Sequence, residues 1–372
     1  MEWIHKVKKE IKCDVDTLDL ISQDERGYLP TGVLPLDYVT GASGFPIGRT
    51  VEIFGLESVG KSAIVAALLG AAQTFGGAVA LADTEHAYTN DWARLFGISP
   101  ESLLVLNPDH VQQVIDTFKY LCDFFGKSEA PTPRVLAWDS IAATPVLEET
   151  DDDLSDKSVG LHARALSKGL RQLTTKIETV NALLVCTNQQ KEKVGIWGSG
   201  GVTKIGGHAF DFHSCLQLRL KKVSLISDPE KKDTVRGMKL AVTAIKNKIY
   251  RPYLTSTVNY YFNSGFDDTE FVVWFAKEHG ILKDLGGGGW KQFGDLKFQG
   301  LPEPEVYSQI EEKVLEMYYG SYASEIKQLR AIRASSVVLQ PKWEVESGVS
   351  TDKGNSSSTV LREEDPQEVE GS

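Results

Sequence analysis

The sequence predicts an α/β protein with a mostly parallel central sheet, and three observations carry the prediction. Residues 55–62 read Gly-Leu-Glu-Ser-Val-Gly-Lys-Ser, which fits the phosphate-binding loop G-x-x-x-x-G-K-[ST]. A β-branched and aromatic run, Thr50-Val51-Glu52-Ile53-Phe54, precedes the loop, and an apolar helical run at 63–69 follows it. Strand, glycine turn and helix are the context this motif requires. From about residue 26 to 265, further apolar runs alternate with helical segments, as parallel strands covered on both faces demand.

In chain order, residues 1–25 read as a short amphipathic helix and linker, with Trp3, Ile4, Val7 and Ile11 at helical spacing. Such a helix can pack on its own domain or dock as an arm on a neighbouring subunit, and the spacing does not choose between them. Strands are expected at 50–54, 78–83, 102–106, 134–139 and 182–187, then at 215–221, 238–245 and 256–262. The last three follow one another without long helices, so an antiparallel addition to the sheet is expected. Residues 148–159 are rich in Asp, Glu and Ser, and residues 190–207 in Gly and Lys. Both are expected to be mobile, functional loops. Helical periodicity around Trp274, Trp290 and Tyr318-Tyr319, broken by glycines at 286–289, predicts a small C-terminal α+β domain over 269–343. Residues 344–372 are polar and acidic and are expected to be disordered.

Composition bounds the function. The chain has 372 residues, 41% hydrophobic and 24% charged, which suits a soluble globular protein with a full core. No run of 18 apolar residues is present, and the N-terminus lacks the apolar centre of a signal peptide. Cys13, Cys122, Cys186 and Cys215 are scattered without C-x-x-C spacing, which fits a reducing cytoplasm and not a zinc site. A net charge of −11 argues superficially against nucleic acid. The acid is concentrated at 148–156 and after 343, however, while Lys191, Lys193 and Lys204, Lys221-Lys222, and Lys246 with Lys248 cluster. A basic inner surface on an acidic protein is compatible with that segregation.

The chemistry-bearing residues follow from the phosphate loop. Gly55 and Gly60 let backbone N–H groups wrap phosphates at a helix N-terminus. Lys61 is placed to reach the β- and γ-phosphates of a nucleotide, and Ser62 to hold Mg²⁺. Asp139 ends the apolar strand Val135-Leu136-Ala137-Trp138, where the second magnesium-organising carboxylate of such sites falls. Glu85 and His86 follow the strand 78–83 at the sheet edge where ligands bind. Of the two, Glu85 is the better group to take a proton from water, and His86 the better structural residue. Gln189 ends the strand 182–187; it is a γ-phosphate contact or a polar strand terminus. Lys246-Asn247-Lys248 is a solvated edge or a phosphate-directed pair, since alternate strand residues point the same way.

The ordered series of motifs resembles the bacterial RecA recombinases from about residue 29 to 282, more weakly beyond. It comprises Gly-Phe-Pro-Ile-Gly-Arg before the first strand, the loop strand itself, Asp83-Thr84-Glu85-His86-Ala87, Asp139-Ser140-Ile141-Ala142-Ala143, Thr187-Asn188-Gln189, Gly206-Gly207 and Lys246-Asn247-Lys248-Ile249. The resemblance implies a RecA-type P-loop NTPase core at 26–268, with 1–25 as a polymerisation arm. It implies ATP and Mg²⁺ as cofactors, single-stranded and homologous duplex DNA as partners, and self-assembly into a helical filament. It assigns ATP contact to Gly55, Glu57, Ser58, Val59, Gly60, Lys61, Ser62, Ala63 and Asp139. Trp92 stands in for an adenine-contacting tyrosine, with an indole that can stack on the base. Glu85 matches the family's catalytic glutamate and Gln189 its γ-phosphate sensor. Lys246 and Lys248 match lysines that reach the neighbouring subunit's ATP. Residues 148–159 and 190–207 match the two DNA-binding loops.

For DNA, Val159 takes the place of a larger apolar residue that wedges between base triplets, and Trp197 falls beside an aromatic position. Arg164 and Arg171, seven apart on a helix face, join Lys191, Lys193 and the Gly206 and Gly207 amides as phosphate contacts. The chain departs from the bacterial pattern in reading Val-Gly-Lys-Ser-Ala for Ser-Gly-Lys-Thr-Thr, in a shorter N-terminal segment, and in lacking acids near Val202 and Thr89. These departures point to a divergent member, such as one encoded by a bacteriophage. The expected function is therefore a DNA-dependent ATPase recombinase. Two other readings are a non-catalytic DNA-binding scaffold and a hexameric helicase on the same core. The intact set Lys61, Ser62, Glu85, Asp139 and Gln189 weighs against the first. Lys246-Asn247-Lys248 and the glycine-lysine loop weigh against the second.

Overall fold

The computed structural model describes residues 27–128, 130–147, 158–192, 202–231, 233–286 and 288–336, with the backbone alone at 158–159, 191–192 and 202–203. The expected arm at 1–25, most of the acidic segment at 148–159 and the expected tail at 344–372 lie outside the described residues. The described residues through Ser336 fall within one compact unit.

The chain runs β1 (Tyr28–Leu29), α1 (Leu34–Thr40), β2 (Phe45–Pro46), β3 (Thr50–Gly55), α2 (Lys61–Thr74), β4 (Ala78–Asp83), α3 (Asn90–Arg94), β5 (Leu104–Leu106), α4 (Val111–Lys127) and β6 (Arg134–Asp139). It continues α5 (Ser158–Thr179), β7 (Ala182–Glu192), β8 (Val202–Lys204), α6 (Ala209–His213), β9 (Leu216–Ser227), β10 (Val235–Asn247), β11 (Thr255–Tyr261) and β12 (Gly265–Asp267). Last come α7 (Thr269–Glu278), β13 (Lys283–Asp284), β14 (Trp290–Phe293), β15 (Leu296–Gln299), α8 (Pro304–Tyr319) and α9 (Ala323–Ser335).

The main sheet has the order β12-β11-β10-β9-β3-β7-β6-β4-β5. From β9 to β5 every pairing is parallel, while β9 through β12 form antiparallel pairs. The expected antiparallel addition is thus present. Side chains alternate across the parallel part. Val135 and Ala137 join the core shared with α1 and α2, and Leu136 and Trp138 the core shared with α4 and α5. Both faces are apolar because both are covered. Helix α2 is buried almost all round, from Ala63 to Ala72, as a helix inside the molecule must be.

Three differences from expectation have physical reasons. The strand expected at 102–106 begins only at Leu104, because Pro100 opens a 3₁₀ turn over Pro100–Ser102. Strand β7 runs on to Glu192 and pairs with β8, Gln190 opposite Lys204. The glycine-lysine segment expected as one loop over 190–207 therefore has a hairpin base, and the pairing that makes it is non-local. Helices α7, α8 and α9 bury Phe271, Val272, Ile310, Val314, Ile326 and Leu329 in the same core as α2. Arg333 donates to the carbonyls of Ala67 (3.0 Å) and Phe96 (3.1 Å). Residues 269–335 thus extend the first core, and β13–β15 form a separate three-stranded sheet. Among the described residues no helix is long and apolar enough to cross a membrane.

Candidate nucleotide and DNA sites

The register of the sheet assembles the site. Gly55 lies opposite Gln189 across β3 and β7, and Asp83 opposite Asp139 across β4 and β6. The carboxyl ends of four parallel strands thereby open on one edge, where α/β sheets bind ligands. A cavity of about 420 Å³ there is lined by Glu57, Ser58, Val59, Gly60, Lys61, Ser62, Ala63, Glu85, Trp92, Asp139, Gln189 and Tyr260.

Two glycines shape the phosphate loop. A Cβ on Gly55 would meet Leu220 O at 2.6 Å, and Gly60, the N-cap of α2, has φ +77°. Only glycine meets both demands without strain. Lys61 is buried and its Nζ donates to Leu56 O at 2.7 Å and Gly55 O at 3.4 Å. Burial lowers its pKa, while the charges of Glu85, Asp139 and Glu57 oppose that shift. Those three carboxylates therefore favour the charged ammonium at the loop.

Asp139 is buried at the end of β6. Its Oδ1 accepts from the Thr187 hydroxyl, its Oδ2 from Tyr88 Oη at 3.1 Å, and Ser62 also bonds it. Burial raises its pKa, and the three hydroxyls work against that shift by stabilising the carboxylate. A hydroxyl and a carboxylate side by side are hard oxygen donors. With phosphate oxygens and water they form the donor set that Mg²⁺ takes. Among the described residues, no cluster of three or more His, Cys, Asp or Glu offers an all-protein metal site.

Glu85 stands on the segment after β4, tied to Asp139 and Ser140. Thr84 N donates to Asp139 O at 2.9 Å, Thr84 Oγ1 to Ser140 O at 2.8 Å, and the Ser140 hydroxyl to Glu85 Oε1. Glu85 is exposed and lines the cavity with Lys61. His86 is exposed at φ +51° and does not line the cavity. Trp92 on α3 is half-buried and packs edge-on against Tyr88, with centroids 5.0 Å apart. Thr89, in place of the expected acid, caps α3 by accepting from Trp92 N at 3.3 Å.

Tyr88, Thr187 and Tyr260 also stand at the site, without having been expected there. Tyr88 Oη donates to the Asp139 carboxylate, and burial followed by the Asp139 charge pushes its pKa well up, so it remains a donor. Only Thr187 carried a signal, as a hydroxyl at the end of an apolar strand.

The remaining residues gather elsewhere. Lys246 and Lys248 do not line the phosphate-loop cavity of their own chain. Lys248 is exposed and lines a separate cavity of about 430 Å³ with Arg49, His213 and Phe212. Lys246 Nζ donates to Asp211 O at 2.5 Å and Ser214 O at 2.7 Å. The two lysines expected to act alike thus differ, because α6 ends within reach of Lys246 only. Burial lowers the His213 pKa, and Arg171, Lys246 and Lys248 lower it further, so these cations share one basic face.

Arg164 and Arg171 are both exposed on α5. Gly207 is exposed and Gly206 buried in the turn before the five-residue α6, whose N-cap is His208; the two glycines precede the helix and do not open it. Backbone alone is described at Val159 and Lys191, and Lys193 and Trp197 lie outside the described residues. Lys204, grouped from sequence with the surface lysines, is instead turned inward. It pairs with the buried Glu52 at 2.7 Å and with Asp211 at 2.8 Å. The β7–β8 pairing draws it in.

Comparison with known proteins places these observations. The model for the RecA N-terminal domain matches residues 6–267. Protein RecA of Thermus thermophilus is 33% identical over 321 residues, covering 83% of this chain and 91% of that protein. Protein RecA of Thermus aquaticus is 33% identical over 298 residues, 77% and 84% of the two chains. Protein RecA of Clostridium acetobutylicum is 31% identical over 314 residues, 82% and 84% of the two.

Proposed function

The chain belongs to the RecA family, and from that premise we propose that it is a DNA-dependent ATPase. In this reading it assembles on single-stranded DNA as a helical filament and exchanges strands between homologous DNAs in recombination and repair. The observation that carries the reading is the convergence of Lys61, Ser62, Glu85, Asp139 and Gln189 on one cavity.

Each residue has a role that its surroundings support. The Lys61 ammonium neutralises charge on the β- and γ-phosphates, and the loop amides near Gly60 bind the phosphate oxygens. Ser62 and Asp139 hold Mg²⁺, which when bound neutralises phosphate charge. Glu85, fixed by the Ser140 hydroxyl, orients the attacking water and takes its proton. Gln189 contacts the γ-phosphate from within β7, opposite Gly55. Trp92 and Tyr260 form the aromatic wall available to the base. Lys248, and Lys246 once freed from the Asp211 and Ser214 carbonyls, complete the next subunit's site. Arg164, Arg171, Lys191 and the Gly207 amide bind DNA phosphates without reading bases, and Val159 separates bases. Free, buried thiols at Cys122 and Cys186 fit a reducing cytoplasm.

Strand exchange between a circular single strand and its homologous linear duplex tests this reading. Wild type with ATP should yield joint molecules and nicked circles, and Lys61→Ala neither. Unwinding of a forked duplex without homology would instead support the helicase reading.

A further inference from the structure

An ionic cluster centred on the buried Glu52 joins the nucleotide cavity to the hairpin and to the basic face, and its residues lie outside the site assigned above. Glu52, on β3 three residues before the phosphate loop, is fully buried. Its Oε1 accepts from Asn188 Nδ2 at 2.9 Å, and its Oε2 from Lys204 Nζ at 2.7 Å and from Gln217 Nε2 at 2.7 Å. Lys204 Nζ and Gln217 Nε2 also donate to Asp211 Oδ1, at 2.8 and 2.9 Å. The Lys204 ammonium lies 4.8 Å from the Phe54 ring centroid.

The elements so tied are those that must communicate. Asn188 immediately precedes Gln189, and its Nδ2 also donates to Ile205 O at 3.0 Å. Both neighbours of that nitrogen are acceptors, which fixes the orientation of the amide and leaves Asn188 Oδ1 buried without a partner. Ile205 N in turn donates to Gln189 O at 3.4 Å. At the other end, Asp211 sits on α6, and its carbonyl, with that of Ser214 just past the helix, holds Lys246. Gln189 therefore cannot shift along β7 without straining Asn188 and Ile205, and both are anchored through Glu52 and Lys204.

We propose that Lys204 is a positioning residue. Through its paired contacts to Glu52 and Asp211 it couples nucleotide occupancy at Gln189 to the β7–β8 hairpin and to α6. This rests on the ATP- and DNA-binding reading given above. Charge is the economical device here. Removing one partner of a buried pair leaves the other uncompensated, so the arrangement is held to one geometry. A purely packing role would need neither the second carboxylate nor the shared Glu52 oxygens.

The test compares wild type, Lys204→Met and Lys204→Arg. Single-strand DNA affinity is measured with a non-hydrolysable ATP analogue and with ADP, and the ratio is the coupling. Wild type should show a ratio within the ~5–150-fold range of such couplings. Lys204→Met should bring it below about twofold on that scale, with DNA-free affinity for the analogue within about threefold of wild type, since Lys61, Ser62 and Asp139 lie outside the cluster. Lys204→Arg, which keeps the charge, should retain at least half of the logarithm of the ratio.

An unchanged ratio in Lys204→Met would overturn the proposal, as would equal loss in the Met and Arg variants. If circular dichroism shows Lys204→Met unfolded, the charge-free pair Glu52→Gln with Lys204→Met is measured against the same expectations. A wild-type ratio near one would instead reject the ATP-switched DNA-binding reading, which separates the two failures.

Discussion

Replacing Glu85 by Gln separates positioning from proton transfer. The Ser140 hydroxyl donates to Glu85 Oε1, and an amide carbonyl in that place accepts the same bond. The Thr84 bonds to Asp139 O and Ser140 O are untouched, so the segment keeps its shape. What is lost is the proton acceptor, worth ~10²–10⁴ in rate, or about 3–5 kcal/mol of barrier. Ser140→Ala removes the hydrogen bond to the Glu85 carboxylate, ~1.5–3 kcal/mol, and the longer one from Ala143 N at 3.3 Å, and leaves the proton acceptor in place. The expected order of ATP turnover is therefore wild type, then Ser140→Ala, then Glu85→Gln. Nucleotide affinity and analogue-supported DNA binding should stay near wild type in both variants. The assay is single-turnover ATP hydrolysis on saturating single-stranded DNA, with separate equilibrium binding of a non-hydrolysable analogue. Less than about tenfold loss in Glu85→Gln would refute general-base action and move the role to another residue.

Three further expectations follow from the same geometry. Tyr88→Phe removes the 3.1 Å bond to Asp139 and should weaken magnesium-nucleotide binding about tenfold, read by titrating Mg²⁺ at fixed nucleotide; an unchanged titration would deny the hydroxyl a part. Lys248→Ala should abolish DNA-stimulated hydrolysis, yet mixing it with Lys61→Ala should restore some, because composite interfaces then carry both intact elements; absence of recovery in mixed filaments would argue against action across the subunit boundary. Arg171→Ala should weaken single-strand binding equally for all sequences and lower the salt slope by about 0.7, whereas a sequence-dependent loss would mean that it reads bases.

How much of this was legible in the sequence depends on how local each signal is. β3, the phosphate loop and α2 carry their signals within one short stretch of chain, so motif and flanks agree. Asp139 and Gln189 were legible because each closes an apolar run, and the parallel register of β3, β6 and β7 brings those positions to one edge. Glu52 was not: a glutamate between Val51 and Ile53 reads as the outward member of an alternating strand. Its partners, Asn188, Lys204 and Gln217, lie 136, 152 and 165 residues away. Tyr88 likewise belongs to a loop whose path is set by tertiary bonds, with Ala87 N and Tyr88 N donating to the Asp83 carboxylate at 3.3 and 3.2 Å. The β7–β8 hairpin was obscured by its glycines and lysines. The C-terminal helices showed their apolar stripes, but a stripe does not name the surface it covers, and here that surface is the core of α2.

In the proposed function the cavity at Lys61 drives strand exchange on DNA. The most direct measurement follows joint-molecule formation between circular single-stranded DNA and homologous linear duplex, with ATP and Mg²⁺, by wild type and Lys61→Ala. Exchange that needs ATP, homology and Lys61 is the predicted result. Exchange that persists in Lys61→Ala, or duplex opening that ignores homology, would contradict it.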